Sequence, residues 1–254
     1  MHVKGLVAGM LALYASAAVA EDALLSAVRA KQVEKVRRLL KKGADVQARD
    51  ELGQTALHLA VENDDADMIE ALVRGGAVVD ARSETFDSTP LADAVVGKKR
   101  RAVEALLRHR PALVQATEDP TLLILAAERG DGATLKLLLA AGMDPTRSVT
   151  HKSVSNVNAL MAAAGEGNAE TVKVLLETSV DVNQRDTYGD HCLNWAVGFG
   201  KFHVVPLLLD AARKVELNFV GYEGQTALDM AIAKNHAPTI ELLRQRGAKR
   251  ARDP

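Results

Sequence analysis

This chain is poor in cysteine, in aromatic side chains and in long apolar runs. Its single cysteine, Cys192, excludes an intramolecular disulfide, so stability must come from packing. Past the first twenty residues no segment stays apolar for the roughly 20 residues that a spanning helix needs. Neither sign of charge prevails: 32 basic and 33 acidic side chains leave a net charge of −1. No global field therefore draws nucleic acid or an anionic membrane. The sequence signatures of common catalytic sites are missing as well. There is no Gly-rich phosphate loop, no serine elbow and no His-Glu-x-x-His. An enzyme is not expected, and no cofactor is required.

What the chain does contain is one spacing repeated seven times. Its origins are Leu24, Leu57, Leu91, Leu123, Leu160, Leu193 and Leu228. Three residues after each comes alanine: Ala27, Ala60, Ala94, Ala126, Ala163, Ala196 and Ala231. Twelve after comes Val36, Ile69, Val103, Leu135, Val172, Val205 or Ile240. Fifteen after comes Leu39, Leu72, Leu106, Leu138, Leu175, Leu208 or Leu243. A fixed skeleton with a variable connector is the signature of a repeat solenoid. Residues three apart share a helix face, so each unit predicts two helices. The alanine is small because a larger side chain would hold neighbouring repeats apart.

The best-preserved unit runs Asp50-Glu51-Leu52-Gly53-Gln54-Thr55-Ala56-Leu57-His58-Leu59-Ala60. Gly53 suits a turn with positive φ, and Thr55 suits an N-cap. Gly75-Gly76-Ala77 suits a left-handed C-terminal cap, as do Gly43-Ala44, Gly142 and Gly247-Ala248. A helix pair of this length with Thr-Ala-Leu-His and Gly-Ala resembles the ankyrin repeat. The resemblance covers nearly everything after residue 21. It weakens in repeat three, where Phe86-Asp87-Ser88 replaces the glycine turn, and in repeat four at Thr117-Glu118-Asp119-Pro120. The expected fold is all-α: an ankyrin-like solenoid of about seven helix-turn-helix repeats with short hairpin-like connectors. Their approximate ranges are 21–49, 50–82, 83–116, 117–149, 153–185, 186–220 and 221–254.

Residues 1–20 read as an address rather than as a repeat. Lys4 gives a positive start, Leu6 to Tyr14 is apolar apart from glycine, and Ala18-Val19-Ala20 fits a small-x-small cleavage site. This layout is that of a secretory signal peptide, and its very short basic start points to a bacterial periplasm, with secretion as the alternative. Cleavage removes Lys4 and takes the net charge from −1 to −2. No integral membrane segment would then remain. Basic runs at Arg29–Lys42 and Arg244–Arg252 lie in the two end repeats, whose outer faces must be polar.

The resemblance implies binding through connector tips and the exposed side of the first helix. In repeat two those positions hold Arg49, Glu51, Leu52, Gln54, Glu62 and Asn63, a polar set that suits solvent. The C-terminal repeats differ. Of seven aromatic residues after the leader, six lie between positions 188 and 222. Exposed aromatics anchor protein interfaces. The expected partner-binding residues are Arg185, Thr187, Tyr188, Asp190, Trp195, Phe199, Phe219, Tyr222 and Glu223. Phe202 is expected between helices instead. The long connector 146–157 is either a finger that reaches a partner or a tolerated insertion. Pro206 is expected to bend the second helix of repeat six.

The expected function is that of an exported, monomeric module that binds another protein. Exported bacterial proteins resembling it imply a protective or accessory role in envelope or oxidative stress. One alternative is an immunity-type inhibitor of a toxin or hydrolase. Another is metal or small-ligand binding at Asp190-His191-Cys192. Against the latter, adjacent residues face each other poorly and no second ligand pair follows at metal spacing. His58 is expected to hydrogen-bond along the stack.

Overall fold

The structure is a computed structural model, and it describes residues 23–109, 121–211 and 215–252. The expected leader at 1–20 and the repeat-four turn at 117–120 lie outside the described residues. Fourteen α-helices, two short 3₁₀ helices and one small β-hairpin make up the regular structure among those described. The chain divides into two units, residues 1–113 and 114–254.

In the first unit the helix pairs are α1 (23–29) with α2 (Val33–Lys41), α3 (Ala56–Glu62) with α4 (Ala66–Arg74), and α5 (Pro90–Val96) with α6 (Arg100–Arg108). First helices stack on first helices, α3 on α5. Second helices stack on second helices, α2 on α4 and α4 on α6. In the second unit the pairs are α7 (Thr121–Arg129) with α8 (Gly132–Ala140), α9 (Ala159–Glu166) with α10 (Ala169–Leu176), α11 (Cys192–Gly198) with α12 (Val205–Leu209), and α13 (Ala227–Ala233) with α14 (Ala237–Gln245). There α7, α9, α11 and α13 pack in sequence, as do α8, α10 and α12.

The skeleton explains this arrangement. All seven origin leucines and all seven alanines are buried. Only Leu39 and Ile240 among the later positions are not fully buried, and they sit in the first and last repeats. A terminal repeat has a neighbour on one side only. Local chemistry sets the ends. Thr55 and His58 form a capping box that starts α3. Gly76, at φ 93°, ends α4, where the Ala77 N–H donates to the Leu72 carbonyl at 3.0 Å. His58 also bonds onward to the Ser88 carbonyl at 3.1 Å, which ties repeat two to repeat three.

Two departures from an all-helical expectation bear on function. The connector 146–157 is not irregular. Strands β1 (Ser148–His151) and β2 (Val154–Asn158) pair antiparallel across it. Lys152 and Ser153 both have positive φ, 47° and 68°, the two-residue geometry that matches the twist of a hairpin. Lys152 is held by Glu128 at 2.7 Å and Glu166 at 3.3 Å. The second departure is in repeat six. A 3₁₀ turn at Phe202–Val204 precedes α12, which is only five residues long. Pro206 has no N–H to give, and the other second helices run to eight or nine residues.

Candidate functional site

The site begins with a turn. The Asp186 carboxylate accepts the backbone N–H groups of Tyr188 at 2.8 Å and Asp190 at 3.0 Å through Oδ1. Gly189, at φ 82°, lets the chain reverse there. The other oxygen, Oδ2, accepts the Trp195 indole N–H at 2.8 Å. One buried carboxylate thus fixes both the tip of repeat six and the ring on its first helix. The neighbouring turn is fixed by Asp190, whose Oδ1 accepts the Asn194 amide at 3.0 Å and the Tyr222 N–H at 3.1 Å. Gly221 has to be glycine for this: a Cβ there would stand 1.8 Å from that same oxygen. Burial pushes the Asp190 carboxyl above its ordinary range, and the nearby Asp186 charge adds to the rise.

The aromatic rings then form two edge-to-face pairs. Tyr188 and Tyr222 have centroids 5.5 Å apart at 82°, and Trp195 and Phe199 have centroids 5.5 Å apart at 65°. Gly165 on α9 makes room for the second pair. A Cβ there would meet Trp195 Cε3 at 2.7 Å and Phe199 Cδ2 at 3.3 Å. Tyr188, Phe199 and Tyr222 remain 51%, 62% and 51% exposed. Together the four rings and the two carboxylates line a groove of about 420 Å³, with Val154 of β2 and Met230 of α13 also in its lining.

Five of the expected binding residues therefore meet in one place: Tyr188, Asp190, Trp195, Phe199 and Tyr222. Glu223 stands exposed beside them at φ 56°. Three others stand apart from the groove lining, and of these Phe219 departs from the exposure expected of it. Phe219 is buried, edge-on to His191 with centroids 4.6 Å apart, so it packs and offers no ring to a partner. The Arg185 guanidinium lies over that ring at 3.5 Å, while the residue as a whole stays exposed. Both border a different cavity from the aromatic groove. Thr187 pairs with the hairpin: its N–H donates to the Ser155 carbonyl at 3.1 Å, and its hydroxyl accepts from the Ser155 N–H at 3.2 Å. Phe202 is half-buried as expected and stacks on His236 at 3.8 Å.

Asp186 was not among the expected site residues, nor were Asn194, Val154 and Met230. A signal for Asp186 existed, because it stands seven residues before its origin leucine, as Asp50 does. The hairpin gave less warning, although it supplies Val154 and clasps the tip through Ser155.

The alternative of a metal or small-ligand centre at Asp190, His191 and Cys192 fails on geometry. The three side chains engage three different groups. Asp190 faces the groove. His191 Nε2 contacts the Glu216 carbonyl at 2.8 Å. The Cys192 thiol donates to the Val182 carbonyl at 3.3 Å. Burial drives the thiol pKa up to about 12 and the imidazole down to about 4. A thiol held that high supplies little thiolate, the form that attacks or ligates.

Comparison with known proteins agrees with this architecture. The family model for ankyrin repeats, built on three copies, matches residues 24–118, 91–186, 123–219 and 160–252, which together span 24–252. The chain belongs to the ankyrin repeat family. It is 28% identical over 224 residues to the palmitoyltransferase ZDHHC13 of Homo sapiens, covering 86% of this chain and 35% of that protein. It is also 28% identical over 223 residues to inversin of Gallus gallus, covering 74% of this chain and 20% of inversin. The chain thus spans about a third or less of these relatives. Among solved structures, the human ASB11 ankyrin repeat domain superposes with a TM-score of 0.71 at 22% identity, covering 89% of this chain and 98% of that one. That likeness speaks for the fold alone. Ankyrin repeats are protein-binding modules. Among the described residues no helix is long and apolar enough to cross a membrane.

Proposed function

We propose that this chain is an exported, monomeric ankyrin repeat protein that captures one partner protein through the groove of repeats six and seven. The observation that carries this reading is the exposure of Tyr188, Phe199 and Tyr222 around a single groove. The mechanism is rigid presentation. The rings are mounted on a helix and on two turns already tied by Asp186 and Asp190, so little ordering remains to oppose association. Export is supported by the sequence pattern of residues 4–20. Its role is that of a protective or accessory factor for another exported protein.

The test expresses the full chain with its own leader and a C-terminal tag, and recovers it with bound protein from the periplasmic fraction. Replacing Tyr188, Phe199 and Tyr222 together by alanine should weaken capture at least about 100-fold, as loss of several interface anchors does. The helical spectrum and Tm should stay nearly unchanged. Unfolding of that variant would show the rings to be core and would sink the assignment. Absence of the tagged protein from the periplasm would remove the export reading.

A further inference from the structure

The groove carries an imbalance of charge. Its lining holds two carboxylates, Asp186 and Asp190, and no lysine or arginine. Among the described residues no ion pair reaches either carboxylate. Asp186 has both oxygens occupied by N–H donors. Asp190 does not: its two hydrogen bonds fall on Oδ1, and Oδ2 accepts none among the described residues. The two aromatic pairs line the same groove as Asp190. Aromatic faces are electron-rich and attract cations, the more so where water is partly excluded. The same chain shows a guanidinium over a ring nearby, where Arg185 lies 3.5 Å over Phe219.

We propose that the groove takes an arginine side chain of the partner, held by the aromatic walls and the free oxygen of Asp190. This rests on the protein-binding reading above and names what that site recognises. Arginine suits it better than lysine because a guanidinium is planar, stacks on rings and sheds water more readily than an ammonium.

Trp195 is the only tryptophan in the chain, so its indole N–H gives one resonance and reports from the groove wall. The full mature chain is titrated with N-acetylarginine methylamide and, separately, with the neutral isostere N-acetylcitrulline methylamide, into the tens of millimolar. The expected result is a saturable shift of the Trp195 resonance with the arginine compound and none with the citrulline compound. Asp190→Asn keeps an oxygen for Asn194 and Tyr222 but removes the charge, and it should weaken the arginine titration by about tenfold, as loss of a charge-assisted contact does. No shift with either compound, or equal shifts with both, overturns the inference. Stronger binding of N-acetyllysine methylamide overturns the choice of arginine. Partner capture that D190N leaves intact, yet the triple aromatic variant abolishes, would overturn the arginine and keep the protein-binding site.

Discussion

Repeat two and repeat six build the same turn and use it differently. Asp50 Oδ1 accepts the N–H groups of Leu52 at 3.0 Å and Gln54 at 2.9 Å, as Asp186 does for Tyr188 and Asp190. The backbone closes alike, Asp50 N–H to the Gln54 carbonyl at 3.0 Å and Asp186 N–H to the Asp190 carbonyl at 2.9 Å. The second oxygen marks the difference. In repeat two it pairs with Arg29 at 2.7 Å, and the tip is finished within the chain. In repeat six it accepts the Trp195 indole N–H instead, and among the described residues no ion pair reaches the turn carboxylate. The exposed large apolar residues beside the two turns are Leu52, which has no aromatic partner, and Tyr188, which is paired with Tyr222. A turn thus serves as a fixed mount, and the residues hung on it decide whether it is solvated or binds.

The largest test of this comparison concerns His191, which stands where repeat two has Thr55. Burial lowers its folded pKa to about 4, from an ordinary 6.5. The folded form stays neutral while the unfolded chain takes up a proton below pH 6.5. Stability from this group is therefore complete above about pH 6.5 and is lost as pH falls towards 4, by on the order of 3 kcal/mol. Denaturant melts across that window should show the slope in the parent chain. His191→Gln should flatten it, whatever its stability at pH 7. An unchanged slope would mean that the imidazole is hydrated in the native state.

Next in size is Asp186→Asn. Its oxygen can still accept the two turn N–H groups, but its amide then points a donor at the Trp195 indole N–H. Leaving that half-buried donor unpaired should cost about 1–3 kcal/mol. The indole resonance should move towards the position of a solvated tryptophan, and capture of the partner should weaken because the ring loses its anchor. A melting curve like the parent's would show that the carboxylate does not position Trp195.

The comparison also shows what the sequence can disclose. The four-position skeleton placed every first helix, because a leucine and an alanine three apart have one physical use when the pattern recurs seven times. Gly76 and Thr55 announced their caps by conformation and hydrogen-bonding capacity alone. The aromatic cluster was legible from the contrast between a ring-poor chain and six rings near its end. Phe219 departs from the expected exposure because it lies one step before the tip, where its ring is buried beneath Arg185. The hairpin was hidden because Lys152-Ser153 is not a usual pair for two left-handed residues, and it is held by Glu128 and Glu166 from other elements. Asp186 is hard to single out in sequence because an acid in a turn has an ordinary explanation, which holds for one of its oxygens and not the other.

The smallest expected effect completes the contrast. Arg29→Ala removes the cation from the repeat-two turn. Half of the Arg29 side chain is exposed while the Asp50 side chain is only 7% exposed, so solvent screens the cation more than the acid, and the loss should be about 1 kcal/mol. The turn should persist, since Asp50 Oδ1 keeps its two N–H donors. The variant would then carry a bare carboxylate at a tip without aromatic rings. It should gain no affinity for the arginine compound, read by the chemical shift of the Leu52 amide. Binding there would show that a turn carboxylate alone selects the cation, and the rings of repeat six would lose their part in recognition.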